Sequence, residues 1–579
     1  MLRYALTAIS VFVLLGVSFA QAHDNRWFFG GFASSTDTLF GGSVIDFSEE
    51  PPLVFQEDKT MNLYVTMASA CDSSGQLQFY TNGISIDDVS NQTMANGDSL
   101  NPGQFASDFA STGYFLIMSE IMLPLPGQPS KYALLHLKIE THPVYILVRS
   151  TLYMTVVDMS LNGGLGEVVS KNEVLLSNGR FGGINAVKHG NGRDWWIWTT
   201  FGSENKYQRF LLTPSGLYGP DEIAADPAFC CPESEGTIVF SPDGTKMARY
   251  NVAHELIFYD FDRCSGTLSN PTEIPLPDSD WGGGIAFSQG SRYFYLAHDP
   301  ENIYQYDTWS ADIAATQQTV AVYDGFRGYY GTRSSFYMMQ LGPDGRIYIT
   351  APNSIEVLGY IDQPDRPGPS CRVVQHGLHL PTMNHFTCPH YPYYRLGPLD
   401  GSPCDTLGLD NHPVAKFRYY QDTTDYLTVN FTDLSTYQPT GWSWSFGDGE
   451  MSQDTSPVHT FPQGGTYEVC LTVSNQYSSD TYCRTLQLGT SASGEELPAV
   501  NLSVFPNPAR EATNFILSDY LPQYAVLTLH TATGQFVHQQ RIGFGWNSVQ
   551  LEGMAPGLYF YEVKDEGRLL GSGKLVVVE

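Results

Sequence analysis

The chain has 579 residues, with 30 Lys and Arg against 60 Asp and Glu, so its formal net charge is −30. Hydrophobic residues make up 42% of it and charged residues only 16%, which excludes global disorder and implies about three or four domains with filled cores. The twofold acid excess excludes binding to a phosphate backbone and docking on anionic lipid, since both need clustered Lys and Arg.

In chain order, the first element is a targeting segment. Arg3 supplies a positive start, Ala5 to Phe19 an apolar run, and Ala20-Gln21-Ala22 a small-x-small cleavage site. Residues 1–22 therefore read as a signal peptide cut after Ala22, with the mature chain beginning near His23. No Cys follows the run, so a lipid anchor there is not indicated, and no later stretch approaches the length of a membrane-spanning helix. In an exported protein nine cysteines can form disulfides, and the odd number leaves at least one out.

From Asn25 to Arg395 short aromatic and β-branched runs alternate with Gly, Asp, Asn and Pro turns. Phe240-Ser241-Pro242-Asp243-Gly244 leads into Lys246-Met247-Ala248, and Leu341-Gly342-Pro343-Asp344-Gly345 leads into Arg346-Ile347-Tyr348-Ile349. Ile285-Ala286-Phe287-Ser288 before Arg292-Tyr293-Phe294-Tyr295 lies between them, and Asn185-Ala186-Val187 before Trp195-Trp196-Ile197-Trp198 fits the same template. A strand–turn–strand unit recurring at roughly fifty residues is the spacing of a propeller blade. These units resemble those of WD40-like and TolB-like β-propellers. Trp27-Phe28-Phe29-Gly30 and Tyr394-Arg395-Leu396-Gly397 resemble segments of secreted proteins from Bacteroidota-type bacteria. The resemblance implies an all-β propeller of six to seven blades over residues 23–396, followed by a linker, 397–413, that contains Cys404.

Residues 414–488 show sharper alternation. Trp442, Trp444 and Phe446 share a strand face closed by Gly447-Asp448-Gly449, and Tyr467, Val469, Leu471 and Val473 form a second apolar face. Cys470 falls opposite Cys483 across the hairpin turning at Gln476-Tyr477, within disulfide reach. Such a bridge stabilises by about 3 kcal/mol in the chain-entropy model. Trp442-Ser443-Trp444-Ser445-Phe446-Gly447-Asp448-Gly449, with Gly465-Thr466-Tyr467, resembles a PKD domain, which implies an immunoglobulin-like β-sandwich.

A Ser-, Gly- and Glu-rich linker, 489–499, precedes the last module, 500–579. Val504-Phe505-Pro506-Asn507-Pro508, Thr531-Ala532-Thr533-Gly534, Pro556-Gly557-Leu558-Tyr559 and Gly573-Lys574-Leu575 resemble the type A C-terminal sorting domain of the type IX secretion system. In that family Pro506, Asn507, Pro508, Gly534, Gly557 and Lys574 would carry the motif on a small β-sandwich. The resemblance implies Sec export, passage through the outer membrane and removal of the domain by a cell-surface sortase. The cut would fall before Val500, with release or attachment to surface lipopolysaccharide following. Such a chain lives outside, or on the outer surface of, a Gram-negative cell.

Chemistry is harder to locate. His254-Glu255 starts a zinc-protease motif, but Phe258 stands where the second His belongs. There is no GxSxG elbow, and Asp260-Phe261-Asp262 with Gly266 lacks the remaining ligands of an EF-hand. His376, His379, His385 and His390, with Cys371 and Cys388, are candidate zinc ligands, although their spacing matches no standard finger. A Cys371–Cys388 disulfide is the competing expectation, and Cys264 can pair with Cys230 or Cys231. Trp195, Trp196 and Trp198 read as core more readily than as a sugar platform. No cofactor is expected. Two functions stay open: a surface or extracellular protein whose propeller binds a glycan or protein ligand with the PKD domain as spacer, or a secreted hydrolase or lyase with carboxylates around the propeller channel.

Overall fold

The computed structural model describes residues 21–578 apart from 32–39, 58, 143–145, 202–203, 229–235, 253–254, 278–282, 329–330, 422–424, 489–500, 506, 511, 519–524, 532–534, 544, 552 and 566–567. The signal segment before Gln21, Cys230, Cys231, His254, the 489–499 linker, Pro506 and Gly534 thus lie outside the described residues. The chain divides into two compact units, Met1–Leu488 and Gly489–Glu579.

Among the described residues, seven antiparallel sheets follow one another from Arg26 to Asn384, two of three strands and five of four. Each is a meander, and the first strands of successive sheets pack side by side: Arg26–Phe29, Ala68–Cys71, Glu120–Pro124, Phe181–Lys188, Thr237–Phe240, Ile285–Phe287 and Met339–Leu341. This is a β-propeller. The Pro/Asp/Gly turns between the first and second strands of a blade form because Gly244 and Gly345 adopt φ of +69° and +77°, which a side chain disfavours. In one of them Asp243 Oδ1 accepts from the Thr245 N–H at 2.9 Å, fixing the turn locally.

The core is a set of layers between blades. Trp198, Tyr207, Met247 and Ile257 fill one, Phe258, Phe287, Phe294 and Tyr306 the next, and Tyr295, Met339, Ile347 and Cys371 the one after. Each such buried side chain contributes roughly 1.5–3 kcal/mol, so the strands are held by their faces as much as by their ladders. Trp195 lies in a different layer from Trp196 and Trp198, and all three are buried, as their alternation along the strand demands.

Ring closure uses no shared strand among the described residues. The last blade's outer strand, Val373–Asn384, packs on strands Ser43–Asp46 and Leu53–Gln56 of the first blade. Ser43 Oγ and Thr382 Oγ1 meet at 2.7 Å, and Thr382 Oγ1 donates to the Gly41 carbonyl at 2.7 Å.

After the last blade the chain turns into the ring. His390 Nε2 donates to the Ile184 carbonyl at 2.6 Å, and Tyr394 OH donates to the Met122 carbonyl at 2.6 Å. Tyr391 OH lies 2.6 Å from Ser69 Oγ, and its N–H reaches Gln340 Oε1 at 3.2 Å. These partners belong to four of the seven innermost strands, so residues 390–395 run along the propeller axis. Arg395 ends the run with a two-pronged ion pair to Asp24, at 2.9 and 2.6 Å.

Two disulfide expectations need correction. Cys264 bonds Cys404, with Cα atoms 5.4 Å apart. The reason is the path of the chain leaving the axis: Arg263 Nη2 donates to the Gly397 carbonyl at 2.6 Å and the Leu399 N–H to the Gly190 carbonyl at 2.7 Å. Those bonds lay residues 397–404 across the turn that carries Cys264, so this stretch is pinned and no free tether. Cys371 and Cys388 are free thiols, as is Cys71. Strand Val373–Asn384 separates the pair, and at ~3.3 Å per residue it holds them far beyond disulfide reach.

Residues 417–488 form a sandwich of a three-stranded and a four-stranded sheet around Phe417, Phe431, Trp444, Phe446 and Leu471. Cys470 and Cys483 are bonded within it, Cα atoms 4.1 Å apart. The sandwich seats on the propeller through buried charge. Arg418 Nη1 donates to Asp362 at 3.1 Å, Arg346 to the same carboxylate at 2.8 Å and to Asp344 at 2.8 Å, and Arg484 to the Glu50 carbonyl. Burial pushes the Asp362 carboxyl up, but Arg418 and Arg346 outweigh it and hold the group below its ordinary range. Arg372 lies over the Tyr420 ring at 3.8 Å.

In the second unit, sheets of three and four strands enclose Phe515, Leu517, Leu527, Leu529, Val549, Val563 and Leu575. Asn507 acts as a clamp on the final strand, donating to the Lys574 carbonyl at 2.7 Å and accepting from the Val576 N–H at 2.9 Å. Gly557 opens strand Gly557–Asp565, paired with Val577, and Lys574 pairs with Phe560.

Candidate ligand pocket on the propeller

The axial segment leaves little room in the channel. The remaining cavity, lined in part by Asp24, Asn185, Gln340 and Tyr391, measures about 60 Å³, space for one or two waters. Asp24 is the one carboxylate on it among the described residues, and Arg395 already engages both of its oxygens. Among the described residues lining this cavity there is no second carboxylate to complete the pair that two-carboxylate hydrolysis uses.

A larger cavity, about 290 Å³, opens where the chain enters the innermost strands. Val65 precedes strand Ala68–Cys71, Leu116 and Ile117 precede Glu120–Pro124, and Tyr337 precedes Met339–Leu341. Ile139, Val148 and Arg149 come from the long hairpin Lys131–His142/Ile146–Asp158, and Phe115 and Phe386 complete the wall. Phe115 is 39% exposed and forms a lip. Behind it the aromatic groups support one another: Tyr64 stacks on His385 at 4.1 Å, and Phe386 meets His385 edge-on at 4.3 Å. Ser354 Oγ lies 2.6 Å from His385 Nδ1 and orients that ring.

Polar groups on the pocket are few. Arg149 Nη2 donates to the Ile117 carbonyl at a long 3.4 Å. Burial pushes the Tyr337 hydroxyl above its ordinary pKa, against the opposing charge of Arg149. The hydroxyl therefore stays protonated as a donor. Such a site can hold an apolar group, and the described residues that line it include no nucleophile–base pair.

The histidines considered as zinc ligands do not converge. His376 is 3.1 Å from Asp324 and stacked on Phe326, while His379 sits further along the same outer strand. His385 stands behind the pocket, and His390 is spent on the Ile184 carbonyl in the axis. Among the described residues no three His, Cys, Asp or Glu gather as a metal site. Burial pushes His379 and His385 down to about 4 and the Cys371 and Cys388 thiols up to about 11 and 12. Glu255 of the failed protease motif is buried against Arg249, and Asp262 caps its own turn by accepting from the Cys264 N–H at 2.8 Å. Sequence reasoning missed the pocket residues because five separate stretches supply them, none carrying a motif.

Comparison with known proteins bears on the two smaller modules. A PKD domain model matches residues 410–489, and a secretion system C-terminal sorting domain model matches residues 503–578. The pre-pro-metalloprotease PrtV of Vibrio cholerae is 26% identical over 128 residues, 22% of this chain, and the match spans only 13% of that protein's length. The solved PKD1 domain of the same protease is 29% identical and covers 14% of this chain and 98% of its own, with a TM-score of 0.13. The periplasmic gluconolactonase of Pseudomonas aeruginosa is 12% identical over 62% of this chain and 96% of its own, with a TM-score of 0.36. Behind its propeller the chain thus carries a PKD domain and a type IX sorting domain, the latter directing it through the secretion machinery to the cell surface or the extracellular space.

Proposed function

We propose that this protein is an exported binding protein whose propeller captures a ligand in the apolar pocket beside Phe115, with the PKD domain as a fixed pedestal. The observation that carries this reading is the contrast between an axis filled by residues 390–395 and an open cavity of about 290 Å³ with hydrocarbon walls. Ligand sites are concave, largely apolar and furnished with few polar groups, and this volume stands at the lower end of their range. Titration with the environment-sensitive dye anilinonaphthalene sulfonate tests it. One blue-shifted site is expected, lost in Leu116→Trp and Val65→Trp with the melting temperature kept. Dye binding indifferent to both substitutions, or turnover of polysaccharide or peptide by the purified chain, would overturn it.

Export has its own course in this reading. A signal peptide ending at Ala22 starts it, and a surface sortase removes the sorting domain between Leu488 and Val500. Mass spectrometry of the external form is expected to find a C-terminus in that interval. Recovery of Glu579 on that form would sink the processing step.

A further inference from the structure

We propose that the seam between the propeller and the PKD domain binds a small monovalent anion of halide size, chloride in the external medium, on the Lys416 ammonium. A cavity of about 50 Å³ lies in this seam, space for one or two water-sized particles. No residue of the apolar pocket lines it. The short antiparallel pair that opens the PKD domain builds one wall. There the Leu434 N–H donates to the Lys416 carbonyl at 2.9 Å and the Thr436 N–H to the Val414 carbonyl at 3.1 Å, and Lys416 and Thr436 line the cavity. Asn25 and Gln289 of the propeller and Tyr393 and Arg395 of the axial segment complete the polar lining.

Charge decides the occupant. Among the described residues two cations and no carboxylate line this cavity, in a chain whose net charge is −30. Arg395 is spent on Asp24, but the Lys416 ammonium has neither hydrogen bond nor ion pair among the described residues. The carboxylates that attract it from further off are engaged already, Asp24 by Arg395 and both Asp344 and Glu50 by Arg346. Burial and the like charge of Arg395 push the Lys416 pKa down, so its charge sits there at a cost that an anion relieves and a water does not. The side chains of Asn25, Gln289, Thr436 and Tyr393 have no protein hydrogen-bond partner among the described residues either, and each can donate an N–H or O–H. Removal of the signal peptide after Ala22, as proposed above, adds the His23 ammonium next to the place Ala22 holds on the rim. Acetate, sulfate and phosphate are too large for the space, and the last two also bring a second charge against the acidic chain.

The test melts the secreted chain in sodium chloride, sodium bromide and sodium gluconate at equal ionic strength, with Lys416→Met and Thr436→Val beside it, and locates bromide in crystals by anomalous scattering. The melting temperature of the natural chain is expected to rise with the logarithm of chloride or bromide concentration and to stay flat in gluconate. A bromide peak should stand within hydrogen-bond reach of Lys416 Nζ. Lys416→Met should weaken the chloride affinity drawn from the melts by about tenfold or more, the worth of one charge-assisted hydrogen bond, and in gluconate should melt no lower than the natural chain. Thr436→Val should weaken it by about fivefold and carries the test if Lys416→Met does not fold. Equal melting of the natural chain in chloride and gluconate overturns the site, as does a cavity holding water alone in the bromide crystals. A Lys416→Met chain that melts lower by the same amount in both salts makes the ammonium a structural group and overturns its role as anion ligand. Stabilisation by acetate in place of chloride overturns the halide assignment.

Discussion

Glu120 opens its strand fully buried, and neither carboxylate oxygen has a hydrogen-bond partner among the described residues. Burial pushes it up to about 8, so it is neutral at pH 7. The unfolded chain releases this proton near the ordinary 4.5, so stability falls as pH rises from there to about 8, by on the order of 1.4 kcal/mol per unit. Glu120→Gln should therefore melt higher than the natural chain at pH 8 and no higher at pH 4; equal melting at both pH values refutes this. Buried histidines act on the acid side. His136, between Asn101 and Thr155, is pushed down to about 3 by burial, and His23 to about 4. The unfolded chain takes up these protons below about 6.5, so stability present above that pH is lost progressively towards pH 4. Melting curves between pH 7 and 4 should show a steep fall that His136→Gln makes shallower. Neither behaviour is legible in sequence, where Glu120 and His136 are two polar residues in alternating strands; pairing them across one ladder and sealing both is tertiary.

Among elements, the axial segment and the PKD hairpin differ in how they are specified. Strict alternation along Gly465–Ser474 and Ser479–Leu488 sets the register that puts Cys470 on Cys483, and a hairpin is a local object. Replacing both by Ala should cost about 3 kcal/mol, read as a lower denaturation midpoint of the chain ending at Leu488. The axial segment has no periodicity to announce it. Its residues His390, Tyr391, Tyr394 and Arg395 have partners between 51 and 371 residues away in the chain. Arg395→Ala leaves the Asp24 carboxylate buried and uncompensated, which should cost about 3–5 kcal/mol in urea unfolding. Restoring neutrality with Asp24→Asn in the same chain should recover part of that loss, and a cost under about 1 kcal/mol would mean the segment is not held there.

Across the molecule, the propeller is closed by packing of its last blade on its first, by the axial segment and by the seated sandwich. A chain stopped after Cys388 loses the last two together with the Cys264–Cys404 bridge. It should fail to unfold cooperatively, whereas a chain ending at Leu488 should keep one sharp transition in circular dichroism. The seam is charge bound in place: Glu50 from the first blade, Asp344, Arg346 and Asp362 from the last, and Arg418 and Arg484 from the sandwich. The PKD domain is therefore no loose spacer.

What the amino-acid order determined alone is everything written in neighbours: the strand–turn–strand repeat, the PKD hairpin with its disulfide partners, and the sorting domain that addresses the chain outward. Those signals are local because alternation, Gly and Asp turns and short motifs act within a few residues. What only tertiary structure decided is where the ring closes, what fills its axis, which partner Cys264 takes and where a ligand can enter. Each depends on stretches hundreds of residues apart meeting in one layer, and no short-range pattern records which of many buried faces will meet.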